Sequence, residues 1–168
     1  MIGCAGERQN DTGNARRFRR RFGDLAKEQA VVHVEHIGWF CWDGRRWKED
    51  GDDRGIRPLA QRCAELISLE ALLIRPTPDE DQALNEALAA RDKLEAAEAD
   101  LAALGDDQAD KKAKLKKSIP ALKRIVDHGD AIEKRIQRRK TDRLRHANSS
   151  GNKGKLDGML NEARPYVS

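Results

Sequence analysis

Apolar side chains recur along this chain with two periods, and the changes between them mark out its parts. After Asn14, which is placed to cap a helix, Phe18, Phe22 and Leu25 fall at helical spacing within ARRFRRRFGDLAKEQ. The next stretch, VVHVEHIGWFCWDGRRWKEDG, is rich in β-branched and aromatic residues, and Asp43 with Gly44 forms a two-residue turn signal. The predicted hairpin pairs residues 39–42 with 45–48. So small a hairpin is marginal alone, so Trp39, Trp42 and Trp47 are expected to pack against neighbouring helices. From about 58 to 73 the pattern is that of an amphipathic helix. It stops at RPTP, where two prolines break it and Thr77 is placed to cap the next helix.

The clearest helix spans 79–104. Ala83, Ala87, Ala90, Leu94, Ala97, Leu101 and Leu104 alternate steps of four and three, the seam of a coiled coil. Gly105, Asp106 and Asp107 supply a turn, and Leu115, Ile119, Leu122 and Val126 continue the same spacing in a second helix. Pro120 is expected to kink that helix or mark a fresh start after Ser118. A break at His128 and Gly129 precedes a further helix over 130–147 with Ile132, Ile136 and Leu144 as its apolar positions. Residues 148–152 read as a loop, and KGKLDGMLNEA as a last helix ending before Pro165. The chain stops at Tyr166, Val167 and Ser168 without terminal punctuation, as though cut from something longer.

The expected fold is mainly α with a small β-hairpin: a helical domain plus a protruding antiparallel helical hairpin. It has four parts: a disordered lead-in over 1–13, a helix–β-hairpin–helix part over 14–77, a coiled-coil hairpin insertion over 78–128, and a basic helical part over 129–168.

Charge sharpens this division. The net charge is +4, with 38% hydrophobic and 37% charged residues, which suits solvent-bathed helices better than a large core. Residues 79–110 carry 11 acidic and 2 basic side chains, and residues 111–155 carry 16 basic and 4 acidic. The acidic helix and its basic successor are therefore expected to fold against each other, with Lys111 to Lys117 neutralised by the acidic partner. Three widely spaced cysteines imply no disulfide framework and suit a reducing cytoplasm. No apolar run is long enough for a membrane span, and no secretory signal opens the chain.

No phosphate-binding glycine loop, dinucleotide fingerprint, nucleophile elbow or kinase signature is present, so no catalytic residue and no cofactor is expected. His33, His36 and Cys41 have usable metal spacing, but strand alternation puts the two histidines on opposite faces, and no metal is expected. Clustered cations on a helix suit phosphate neutralisation. That makes Arg16, Arg17, Arg19, Arg20 and Arg21 one candidate DNA-binding set, and Arg138, Arg139, Lys140, Arg143 and Arg145 a second. The alternative is that these residues solvate outer faces or meet acidic neighbours. The tryptophans could stack on unpaired bases, against the commoner role of such residues in a core.

The residues NARRFRRRFGD, HIGWFCWDGRRWKEDG, AQRCAELI and RHANSSGNKGKLDGMLNEARPYVS resemble the helical region just ahead of the helicase in phage and plasmid primase-helicases. That region is shared with the poxvirus nucleoside triphosphatase group. The resemblance covers about residues 14–75 and 143–168 and includes no catalytic motif. It implies a non-catalytic module in DNA replication, with ATP hydrolysis by a superfamily 3 helicase outside this chain. The expected partners are DNA, bound without regard to sequence, and the helicase and primase domains of the same system. The acidic–basic hairpin is longer than the connection expected in the family; the resemblance assigns it no role, and an insertion for self-association or partner binding is one expectation for it. A protein–protein module without direct DNA contact is the alternative expectation.

Overall fold

The computed structural model describes residues 2–23, 30–105 and 108–168. The distal end of the predicted first helix, with Leu25, and the Asp106 and Asp107 of the predicted turn lie outside the described residues. Mainly helical structure with one small antiparallel sheet is what the chain forms. It divides into two compact units, Met1–Ile74 with Arg139–Ser168, and Arg75–Arg138.

The first unit begins with α1 (Ile2–Ala5) and α2 (Asp11–Phe22). The lead-in predicted as disordered over 1–13 is not what the described residues 2–13 form. Instead Cys4 is buried, and α2 starts at Asp11 because Asn10, rather than Asn14, caps it by accepting from the Gly13 N–H at 2.8 Å. Gly13 is required there: a Cβ would lie 2.0 Å from the Arg8 carbonyl oxygen.

Three strands follow, β1 (Val31–Val34), β2 (Gly38–Trp42) and β3 (Trp47–Glu49), in a meander of order β1-β2-β3. The predicted hairpin is β2–β3, with Trp42 opposite Trp47. Its turn is held by the Asp43 carboxylate, which accepts from the Arg45 and Arg46 N–H groups at 2.9 Å, and Gly44 takes φ of 96°. The additional strand β1 turns into β2 through His36 at φ 64°. It also pairs with the C-terminus, where the His33 N–H donates to the Val167 carbonyl at 2.9 Å.

Asp50 then accepts from the Gly55 and Ile56 N–H groups at 2.9 and 2.6 Å, starting α3 (Ile56–Glu70), which tightens into a 3₁₀ turn over Ala71–Leu73. Its buried face carries Ile56, Ala60, Cys63, Ala64 and Ile67. The core sits where this face, with Ala15, Phe18 and Phe22 of α2 and Trp39, meets a last helix (Lys153–Ala163) through its Leu156, Met159, Leu160 and Ala163. Of the tryptophans only Trp39 is buried against the helices, edge-on to Phe18 at 6.2 Å. Trp42 and Trp47 instead face each other at 5.5 Å across the hairpin, because register makes them cross-strand neighbours.

The second unit contains α4 (Pro78–Ala103) and the part of α5 (Ala109–Ser150) that runs to Arg138; the last helix is α6. Thr77 caps α4 in a reciprocal box with Glu80, each accepting the other's backbone N–H. Ala87, Ala90 and Ala97 are buried, and the other predicted seam positions of α4 are half-buried. On α5, Leu115, Ile119, Leu122 and Val126 are half-buried as predicted. The two helices run antiparallel: Arg91 pairs with Asp130, and Lys123 with Glu98 at 2.8 Å.

Neither the fresh start predicted after Ser118 nor the break predicted at His128 and Gly129 interrupts α5. Pro120 sits inside the helix, and so does Gly129. Gly129 has a packing role rather than a terminating one, since a Cβ there would lie 2.3 Å from the Cβ of Ala87. Residues 148–150, predicted as loop, complete the helix. The Ser149 hydroxyl donates back to the His146 carbonyl at 3.0 Å, and Ser150 is buried against Asn14.

Candidate nucleic-acid interface

α2 places its arginines on two different faces. Buried positions Asn14, Arg17, Phe18 and Phe22 recur every three or four residues, or sit beside one that does, so Arg17 shares the inward face with the phenylalanines. What receives it is Glu70, at the end of the buried face of α3.

Glu70 is fully buried and binds three guanidinium groups. Arg17 engages it through Nε at 2.9 Å and Nη2 at 3.0 Å, the paired donor geometry that suits a carboxylate. Arg21 donates to Oε1 at 3.0 Å, and Arg143 to Oε2. Arg17 uses its remaining donors on the carbonyls of Arg8 at 2.8 Å and Glu7 at 2.9 Å, and on Asn14 Oδ1 at 3.4 Å. Arg143 adds the Ala5 carbonyl at 2.9 Å, and Arg21 the Cys63 carbonyl at 2.9 Å. Backbone dipoles thus share the positive charge that one carboxylate cannot balance. The same bonds fasten residues 5–8 to the domain.

Three of the ten predicted phosphate-binding residues are therefore committed inside the protein. Arg17 and Arg143 are buried and Arg21 is nearly so, because Glu70 holds all three. Arg16 and Arg20 are about half exposed and both meet Glu7, at 3.7 and 2.9 Å. Arg20 also donates to the Gly3 carbonyl. Arg19 is exposed and forms no ion pair with a described residue. Arg145 is 76% exposed and pairs with Asp142 on its own helix at 3.0 Å. Lys140 and Arg139 are half-buried and Arg138 is exposed; Arg138 belongs to the second unit and the other two to the first.

Beside the arginine cluster, His146 Nε2 lies 2.9 Å from Asn14 Oδ1 and 3.4 Å from Ser150 Oγ, and Asn14 Nδ2 donates to Ser150 at 3.0 Å. Burial, then the cations Arg17 and Arg143, hold the imidazole below its usual pKa. Burial likewise pushes the Cys63 and Cys41 thiols up to about 11, which suppresses their thiolate forms. His33 stacks edge-on against Trp39 at 5.0 Å, and His36 is exposed at its turn. Among the described residues no group of three or more histidines, cysteines or carboxylates is placed to hold a metal ion. No described helix is long and apolar enough to cross a membrane.

A groove of about 530 Å³ opens between α3 and the end of α5, lined by Gln61, Ala64, Glu65, Ser68, Ala147, Asn148 and Gly151. Among the described residues that line it, Glu65 is the ionisable one.

Sequence reasoning missed Glu70. Its signal was its position: with Ala60, Cys63 and Ile67 it completes steps of three, four and three along the apolar face of α3. A carboxylate there needs an internal cation.

A family model described as D5 N terminal like matches residues 15–167. No curated protein and no solved structure matches the chain.

Proposed function

The chain belongs to the D5 N terminal like family, the N-terminal region of phage and plasmid primase-helicase proteins, and we propose that it is a non-catalytic module holding DNA phosphates for a replicative helicase. The observation that carries the DNA reading is the outer face of α2. Arg16, Arg19 and Arg20 reach solvent there, with Glu7 as the acidic group beside two of them. Lys140 and Arg145 add cations from α5. Contacts of this kind hold a backbone without reading its sequence. ATP turnover belongs to a helicase outside this chain, and the cellular setting is the cytoplasm.

Fluorescence anisotropy of the full chain with single-stranded and duplex DNA across a salt series tests the reading. Affinity should fall steeply with salt, and Arg19→Ala with Arg145→Ala should weaken it and flatten the salt slope. Absence of binding at low salt overturns it.

A second reading, a protein–protein module, draws on the hairpin. Leu88 is 59% exposed beside a shallow groove lined by Leu84, Ala87, Arg91, Gly129 and Glu133. Leu94 and Leu101 lie on the seam itself, so the informative variant is Leu88→Asp. Loss of a concentration-dependent oligomer in that variant favours this reading.

A further inference from the structure

We infer that the second unit carries its own phosphate-holding surface, formed by Lys114, Lys116, Lys117 and Arg124 on α5, for a nucleic-acid strand. It shares with the reading above only the kind of partner, and it needs none of the arginines of the first unit.

Sequence patterning predicts that the lysines after the turn are neutralised by the acidic helix α4. Two cross-helix ion pairs are made by residues outside that lysine run. Cross-helix pairs join Arg91 to Asp130 and Lys123 to Glu98, at positions flanking the seam. Lys114, Lys116, Lys117 and Arg124 form no ion pair with any described residue, and all four are exposed. Helix geometry explains this for Lys117 and Arg124, whereas Lys114 lines a groove with Asp100 of α4 and Lys116 lies about 100° from Leu115. Leu115 and Leu122 point to α4, and Lys117 and Arg124, two positions further on, lie about 200° round the helix. A carboxylate on α4 does not reach that side.

Charge counts agree. Residues 111–124 contain seven basic and no acidic side chains, whereas residues 92–104 of α4 and its cap contain four acidic and one basic. With Asp106, Asp107 and Asp110 included, residues 92–124 carry eight basic and seven acidic side chains, so the positive charge belongs to residues 111–124 of α5 rather than to this whole end of the unit. From Lys114 to Arg124 the helix advances about 15 Å, comparable to about four phosphates of one strand. Four cations over that length fit a polyanion with regularly spaced charges. An aromatic platform is absent from the described part of this face, so the contact is one to the backbone and carries no base preference.

The test is anisotropy of the full chain with a fluorescein-labelled 30-nucleotide single strand and the matching duplex, in parallel salt series. Lys114→Glu, Lys117→Glu and Arg124→Glu are combined in one variant; exposed positions leave the fold intact, which circular dichroism checks. The expected result is binding at least about tenfold weaker at low salt, with the salt slope reduced by about 3. Unchanged affinity and slope overturn the inference. A second readout is independent of substitution: bound DNA should shield Lys114, Lys116 and Lys117 of the unaltered chain from amine acetylation more than it shields Lys153. Equal labelling with and without DNA overturns it as well. Failure here with a retained effect of Arg19→Ala and Arg145→Ala leaves the earlier reading standing. The converse pattern keeps the hairpin surface and removes the arginines of the first unit.

Discussion

Arg17 and Glu70 lie 53 residues apart in sequence and meet as a fully buried, doubly hydrogen-bonded ion pair. Burying opposite charges gains little relative to a well-packed apolar pair, yet removing one partner strands the other in a low-dielectric interior. Glu70 is the more consequential of the two, because it also answers Arg21 and Arg143.

Glu70→Ala should therefore lower stability by about 3–5 kcal/mol, whereas Arg19→Ala on the exposed side of α2 should change it by less than about 0.5 kcal/mol. Urea unfolding followed by circular dichroism measures both. Equal effects would show that the arginine cluster has no special weight.

That contrast bears on what was legible in the sequence. The capped start of α4 and the seam spacing of both hairpin helices could be read because each depends on local chemistry or on a simple period. The partner of Arg17 could not, since arginine is rarely buried and nothing local to RRFRRRF announces a carboxylate on α3. The turn that separates β1 from β2 was hidden for another reason: it uses His36 in a left-handed conformation, without the glycine or asparagine that usually signals one. The start of α2 was misplaced because Asn10 and Asn14 are both competent caps, and it takes the buried contacts of Asn14 with Ser150 and His146 to separate their roles.

Acidification should destabilise the first unit. His146 has its pKa lowered in the fold, by burial first and then by Arg17 and Arg143, so the unfolded chain binds the proton more readily. Stability is then highest above the ordinary histidine pKa of 6.5 and declines as pH falls below it. His33, lowered by burial and by Arg164, acts in the same direction. Urea midpoints recorded across the histidine range, from mildly alkaline to mildly acidic buffer, should fall, and His146→Gln should flatten part of that decline. A slope identical to that of the unaltered chain would exclude His146 as its source.

Two glycines in helices should respond oppositely to alanine. Gly154 in α6 has open space where a methyl group would stand, so Gly154→Ala should stabilise by up to about 1 kcal/mol through helix propensity. Gly129→Ala meets the Ala87 side chain and should cost about 1–3 kcal/mol through overpacking. Thermal midpoints of the two variants give the comparison, and stabilisation in both would mean that the helices yield at their contact.

Thiol chemistry offers a further check. With Cys41 and Cys63 both pushed up to about 11 from 9.0, their thiolate fraction near neutral pH is about 100-fold below that of an unperturbed cysteine. Iodoacetamide should modify them slowly in the native chain and readily in urea, as followed by mass spectrometry. Rapid native labelling of Cys63 would mean that the core around α3 opens frequently.

The approach of Gly129 to Ala87 also governs how the hairpin can be assembled. One heptad along α5 in either direction, Leu122 or Ile136 would stand opposite Ala87, and neither fits the space that a hydrogen atom occupies. Sliding between α4 and α5 is thereby blocked, although the repeating alanines would otherwise tolerate several alignments. The hairpin has a single register, so the lysines beyond its midpoint stand at a fixed distance from the capped start of α4, like graduations on a rule.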